Sequence, residues 1–366
     1  MTLKPHPTLD PPRRPAFALP VPPAGKRLIS LAINESAYGA SPRATEAAIA
    51  RLSAPHRYPD PSSNDLRRAI GSAFDLDFER ILCGNGSEEL LDVIGRLFAR
   101  PGDRIIMSQS GFFQFALVAT RLGAELTRAP ERDLITNVDG LLALATPQAK
   151  LVYLAIPNNP TGLAMPVSEV RRLHAALPSH VVLVLDLAYG EYLPPADLAA
   201  LMRLATDSEN VVATRTFSKA YGLAALRAGW ALAPEWMMPG LNLLRGVGNI
   251  NAPAQAAAIA ALADREFLDH VVDETAKERA FLSTHLARLG LRHVKGLGNF
   301  LLTEFPDQDG RRAQDFIAFA MREEGIWLRP VGEPGFPNHS RIGLGTRTEN
   351  ELVVATLGRF LAAPQP

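Results

Sequence analysis

The 366 residues carry 38 basic and 38 acidic side chains, a formal net charge of zero, and 47% are hydrophobic. That balance describes a globular chain long enough for two cores and leaves no electrostatic footprint for nucleic acid or a membrane surface. The single cysteine, Cys83, excludes an internal disulfide framework and a cysteine-rich metal site, and the eight histidines lack ligand spacing.

Residues 1–25 contain eight prolines and no apolar segment of signal-peptide type, so an extended arm and a cytoplasmic protein are expected. A short apolar stretch, Leu28 to Ile33, leads into Asn34-Glu35-Ser36-Ala37-Tyr38-Gly39. Thr45 to Leu52 reads as a helix with Thr45 as its cap, and Asn64 to Phe74 as another. Between them His56-Arg57-Tyr58-Pro59-Asp60-Pro61 is a proline-stiffened loop. Gly84-Asn85-Gly86-Ser87-Glu88 is a glycine turn feeding an amphipathic helix to about Phe98. Its first N–H groups make an anion site, although Ser87 also reads as a plain N-cap.

From Asp103 strands and helices alternate. Strands are expected at Arg104–Met107, Ala124–Ala129, Lys150–Ile156, Val181–Leu185, Val211–Thr214 and Ala228–Leu232, with helices at Phe112–Leu122 and Val167–Leu177. Several of the strands are apolar throughout, which indicates an α/β fold with a mostly parallel sheet covered on both faces. Ligands of such sheets sit beyond the strands' carboxyl ends. There lie Phe112, Pro157-Asn158-Asn159-Pro160-Thr161-Gly162, and Asp186 with Tyr189 three residues on. A carboxylate ending an apolar strand requires a partner, and a protonated pyridine nitrogen is one. Asp186 also reads as a plain cap for the loop that follows.

Thr214-Arg215-Thr216-Phe217-Ser218-Lys219 follows the next strand, with Gly222 and Arg227 downstream. Two hydroxyls and a guanidinium suit a phosphate dianion. Only six of the 38 basic residues are lysine, so Lys219 marks a site where a primary amine, able to form a Schiff base with an aldehyde, is needed. Amine beside phosphate cradle points to pyridoxal phosphate. Beyond Asn251 come helices at Ala254–Ala263 and Glu266–Leu289. Strands Phe300–Phe305, Ile326–Val331 and Ser340–Gly345 and helices Ala313–Glu324 and Glu349–Phe360 then suggest a smaller α+β domain. Arg329 and Arg341 lie on its strands, and Arg347 reads as structural.

Asn-Pro-Thr-Gly, Asp-x-x-Tyr, Ser-Lys and Gly-Leu-x-x-Leu-Arg in this order resemble the fold-type I, class I/II aminotransferases that use pyridoxal phosphate. Asn34-Glu35-x-x-Tyr38-Gly39, Arg57-Tyr58-Pro59, Asn249-x-Asn251 and Arg341-Ile342-x-x-Gly345-Thr346 bring it nearest to the histidinol-phosphate aminotransferase group. The resemblance implies a catalytic trio of Lys219 as Schiff-base lysine and proton carrier, Asp186 on the pyridinium, and Tyr189 with Asn159 on the phenolate oxygen. It also implies Phe112 over the ring. Backbone groups of Ser87 and Glu88, with Thr216, Ser218 and Arg227, would hold the phosphate. Tyr58 would reach the cofactor of a second subunit in a homodimer, and Tyr38, Arg329 and Arg341 would face the substrate. The implied domains are an arm at 1–40, a large cofactor-binding domain at 41–265 and a small one at 266–366. The implied substrates are an amino donor (histidinol phosphate or an aromatic or other amino acid) and a 2-oxo acid such as 2-oxoglutarate. A threonine-phosphate-type decarboxylase and an aromatic amino acid aminotransferase are the alternatives. Departures from the pattern, several of them on the expected substrate side, are Ser36-Ala37, Leu187, Ala225, Gly248 where an aromatic is expected, and Gln109-Ser110-Gly111 where a proline-rich turn is expected.

Overall fold

The computed structural model describes residues 20–331 and 335–363, so parts of the expected 1–40 arm and the C-terminal end lie outside the described residues. Seven strands form the main sheet. In spatial order they are Ile81–Gly84, Gly229–Leu232, Val211–Thr216, Val182–Asp186, Ala149–Ala155, Arg104–Ser108 and Glu125–Ala129. All run parallel except Gly229–Leu232, which is antiparallel to both neighbours. Side chains alternate across a strand, and here both faces are apolar. Leu183, Leu185 and Ala213 join one buried cluster, and Val182, Val184 and Val212 join the other. The parallel strands therefore all end at one edge, where polar residues begin.

A three-stranded antiparallel sheet, Phe300–Glu304, His339–Gly343 and Arg329–Pro330, packs with the Ala313–Glu324 and Arg347–Ala362 helices around a third cluster. Ile29 and Leu31 belong to that cluster, because Ile29–Ser30 pairs in parallel with Ile326–Trp327. The expected single strand Ile326–Val331 is thus two short ones that serve different sheets, one on each side of Leu328. No helix among the described residues is long and apolar enough to cross a membrane.

Several expectations need correcting. Thr45 does not cap its helix: Pro42–Arg51 begins three residues earlier behind Ser41, since proline is suited to a first turn, and Thr45 Oγ1 donates back to Ser41 O. The last helix starts at Arg347, not Glu349, because Thr346 and Glu349 close a capping box. The edge strand Ile81–Gly84 and the helix Pro195–Asp207 were not anticipated. The helix buries Leu201, Met202 and Ala205 at helical spacing behind a proline at its start, a signal available in the sequence.

Candidate functional site

Asp186 is the last residue of a strand whose five residues are all buried, and it is 2% exposed. It lies opposite Thr214 on the neighbouring strand, and Thr214 Oγ1 donates to its Oδ1 at 3.1 Å. Burial pushes its carboxyl up to about 6, against the Thr214 hydroxyl and the Ala188 N–H, which hold it down. Lys219 follows the Val211–Thr216 strand, and its Nζ donates to Ile33 O and Asn34 O, each at 3.1 Å. Its amine opens onto a cavity yet is desolvated by the walls. Desolvation first, and then the Arg341 and Arg227 charges, bring it down to about 7 from 10.5. Neither Asp186 nor Lys219 forms an ion pair among the described residues.

Beside them is an anion cradle. Gly86, at φ 81°, turns the chain into the Ser87–Phe98 helix, leaving the helix's first N–H groups pointing outward. Arg227 donates to Asn85 O at 3.3 Å and to Ser218 Oγ at 3.2 Å, and Thr216 Oγ1 lies 3.0 Å from Ser218 Oγ. A Cβ at position 86 would lie 2.5 Å from Arg227 Nη2, so only glycine lets the guanidinium reach the turn. Oriented N–H groups, two hydroxyls and a guanidinium meeting at a helix start have the chemistry of a phosphate site.

One cavity of about 200 Å³ unites these groups. Lining it are Asp186, Lys219, Thr216, Ser218, Arg227, Ser87 and Glu88 from the sheet edge, together with Phe112, Asn159 and Tyr189. Arg329 and Arg341 also reach it, from the small sheet. Tyr58 and Tyr38 do not. Tyr58 is fully exposed beside a separate groove with Leu52 and Pro253. Tyr38 packs edge-on against His270 at 5.7 Å, its hydroxyl pushed up to about 12 by burial and by the Glu278 and Glu274 carboxylates.

The opposite wall is bonded across long sequence distances. Arg341 donates to Asn159 Oδ1 at 2.7 Å and to Ala32 O, and among the described residues the Asn159 amide N–H groups meet no acceptor. Tyr189 OH accepts from Asn34 Nδ2 at 2.8 Å, and burial raises the phenol above its ordinary value. Asn159 thus keeps its amide N–H donors, and Tyr189 its hydroxyl proton, for a ligand. The Arg329 guanidinium lies 5.1 Å from the centroid of Phe113. Asn34 and Phe113 also line the cavity, Asn34 without an expected role there. The signal for Asn34 was its residue type, since asparagine tolerates the left-handed backbone it adopts at φ 57°. Arg347 lies elsewhere: it pairs with buried Glu278 at 2.9 Å and stacks 4.2 Å over Phe281, a structural role.

Pyridoxal phosphate fits this donor set. A buried acid without a cation, a desolvated amine without an anion and a ready anion cradle share one cavity, and the cofactor carries the complement of each. The comparisons agree. The chain matches the family described as aminotransferase class I and II over residues 26–357. It is 43% identical over 345 residues to the histidinol-phosphate aminotransferase of Rhodopseudomonas palustris (strain HaA2), covering 94% of each chain. Against the enzyme of the same name from Paramagnetospirillum magneticum (strain ATCC 700264 / AMB-1) the identity is 44% over 337 residues, 92% of this chain and 93% of the other. A solved structure of histidinol-phosphate aminotransferase from Sinorhizobium meliloti in complex with pyridoxal-5'-phosphate superposes with a TM-score of 0.86 at 31% identity, covering 91% of this chain and 90% of that one.

Proposed function

We propose, from the premise that the chain belongs to the class I and II aminotransferase family, that this pyridoxal-phosphate-dependent enzyme takes histidinol phosphate as amino donor and a 2-oxo acid such as 2-oxoglutarate as acceptor. The donor assignment is supported by the names of relatives more than 40% identical over nearly the whole chain. The observation that carries the residue assignments is the shared cavity with Lys219 and Asp186 both unneutralised in its wall.

When bound, pyridoxal phosphate supplies an aldehyde for the donor nitrogen and a ring that withdraws electrons from the donor's α-carbon. The chain's residues do the rest. Lys219, brought down to about 7, is partly neutral near neutral pH, so Nζ can take a proton from the donor's α-carbon and deliver it to the carbon that was the cofactor's aldehyde. Asp186 holds a proton on the ring nitrogen, and that charge in turn stabilises the buried carboxylate. Ser87, Glu88, Thr216, Ser218 and Arg227 bind the phosphate. Phe112 would cover the ring, while Tyr189 and Asn159 would donate to its phenolate oxygen. Arg341 and Arg329 receive the anionic end of the substrate.

The active unit is a homodimer in the cytoplasm, with Tyr58 reaching into the second copy's cavity. Tyr58, Ile49, Leu52 and Val247 are all more than half exposed in the single chain, an apolar area suited to a partner surface. The division into 1–40, 41–265 and 266–366 follows the same reading, with the arm on the small domain through Ile29 and Leu31.

The test is a panel of amino donors with 2-oxoglutarate: histidinol phosphate, aromatic amino acids and threonine phosphate, following glutamate and carbon dioxide. The highest kcat/KM is expected for histidinol phosphate, without carbon dioxide. Preference for an aromatic amino acid, or carbon dioxide from threonine phosphate, overturns the donor assignment.

A further inference from the structure

Phe112 is the N-cap residue of the Phe113–Leu122 helix and follows a turn, Gln109-Ser110-Gly111, with no proline to stiffen it. Its placement at the cavity therefore depends on what holds Ser108 to Gly111. The contacts converge on one carboxylate from outside the cavity. Ser108 Oγ donates to Glu131 Oε1, and Ser110 N donates to the same oxygen at 3.0 Å. Ser110 Oγ lies 2.5 Å from Oε1 and 2.7 Å from Oε2. Both serines are buried, at 4% and 1% exposure, so without this acceptor their hydroxyls would be left unpaired. Glu131 itself is seated by the Glu131–Arg132 and Ile135–Thr136 ladder, directly after the sheet strand that ends at Ala129.

The rest of the turn closes around these bonds. Gln109 N donates to Ala129 O at 2.9 Å, and Arg128 Nη1 donates to Gln109 O at 2.8 Å. Asn158 Nδ2 reaches Ser110 O at 3.3 Å, tying the turn to the loop that presents Asn159. A Cβ at Gly111 would meet Met107 Cε at 2.9 Å and Ser108 O at 3.2 Å, so the bend is tight as well as bonded.

We propose that Glu131 is a positioning residue for cofactor binding, acting through Ser108 and Ser110 on the turn that sets Phe112 against the cavity. A carboxylate accepting from three donors makes charge-assisted bonds that fix direction as well as distance. It takes over the stiffening that a proline-rich turn would otherwise supply. The inference rests on the reading of Phe112 as the ring over the cofactor.

The experiment titrates pyridoxal phosphate into apoprotein, followed by quenching of the three tryptophans, for wild type, E131A, E131Q, F112A and the E131A/F112A double variant. Loss of the carboxylate is expected to weaken binding about tenfold, with E131Q between it and wild type. F112A weakens binding by itself, and adding E131A to F112A costs little more, because both substitutions remove the same ring contact. Effects that multiply, or wild-type affinity in E131A, overturn the proposal. Wild-type affinity in F112A instead removes the ring assignment beneath it, a distinct result. Should E131A fail to fold by circular dichroism, S110A removes one of the three donors, the hydroxyl that touches both carboxylate oxygens, and must show the same overlap with F112A.

Discussion

The cavity has two walls made on different plans. On the sheet side, Asp186, Thr214, Thr216, Ser218 and Lys219 come from the ends of two adjacent parallel strands, and their mutual contacts are set by register: Asp186 opposite Thr214, and Thr216 two residues from Ser218. On the facing side, Asn34, Asn159 and Arg341 are joined to partners 155 to 309 residues away in the chain. The first wall holds an acid and an amine that lack charged partners, ready for a ligand. The second has the Arg341 guanidinium engaged with the Asn159 carbonyl oxygen and a backbone carbonyl, and the Asn34 amide engaged with the Tyr189 hydroxyl. Chemistry is concentrated on the wall that the fold makes rigid, while recognition is assigned to the wall whose shape depends on how the small sheet and the N-terminal segment pack.

The comparison breaks most readily at Asp186. In Asp186→Asn the side chain keeps its size but cannot hold the ring nitrogen's proton as an anion. A fall in kcat of about 10³-fold is expected, with the cofactor still retained by the cradle. Activity within tenfold of wild type would show that the sheet wall is not the reacting one. On the facing wall the kinetic pattern should differ. Arg341→Met removes a buried guanidinium from the substrate side, so KM for the amino donor should rise about 10²-fold while kcat changes less. Thermal melts run in parallel separate this effect from the loss of the Asn159 and Ala32 bonds.

Acid–base behaviour gives a third test, again on the sheet wall. Lys219 is brought down to about 7 from 10.5 in the folded apoprotein. Between those values the unfolded chain binds more protons than the folded one, so stability contributed by this group rises with pH across that window. In urea titrations Lys219→Met apoprotein should gain most over wild type below pH 7, and the gain should shrink towards pH 10.5. A gain that does not change with pH would mean that the amine is not desolvated.

The same division explains what could be read from the chain before its structure. The strand ends announced themselves locally: an acid closing an apolar run at Asp186, and hydroxyl, hydroxyl, lysine after Val211–Thr216. Gly86 and Ser87 were legible because a glycine turn before a helix has a fixed chemistry. Asn34 stood in a recognised motif without a role, since its partner Tyr189 is 155 residues away. Glu131 carried no signal at all, because its serines lie across a strand and a helix from it. The antiparallel placement of Gly229–Leu232 and the division of Ile326–Val331 between two sheets are likewise pairing facts, and a one-dimensional pattern does not encode partners. Arg347 is legible as structural from its turn, where it pairs with Glu278.

The smallest effect is also the sharpest test of whether the walls cooperate. Asn34 donates to Tyr189 from a left-handed backbone, so two substitutions separate the bond from the strain. Asn34→Gly loses the amide but accepts the backbone, and Asn34→Ala loses both the amide and the tolerance for φ 57°. Both should lower kcat/KM by about fivefold to tenfold, the worth of one buried hydrogen bond. Both should lose stability with the buried bond, and the alanine variant should be the less stable of the two, by about 1 kcal/mol, in urea unfolding. If the glycine variant turns over like wild type, Tyr189 needs no support from the N-terminal segment. The recognition wall would then bear on substrate alone, and the site would be in chemical terms the property of a single sheet edge.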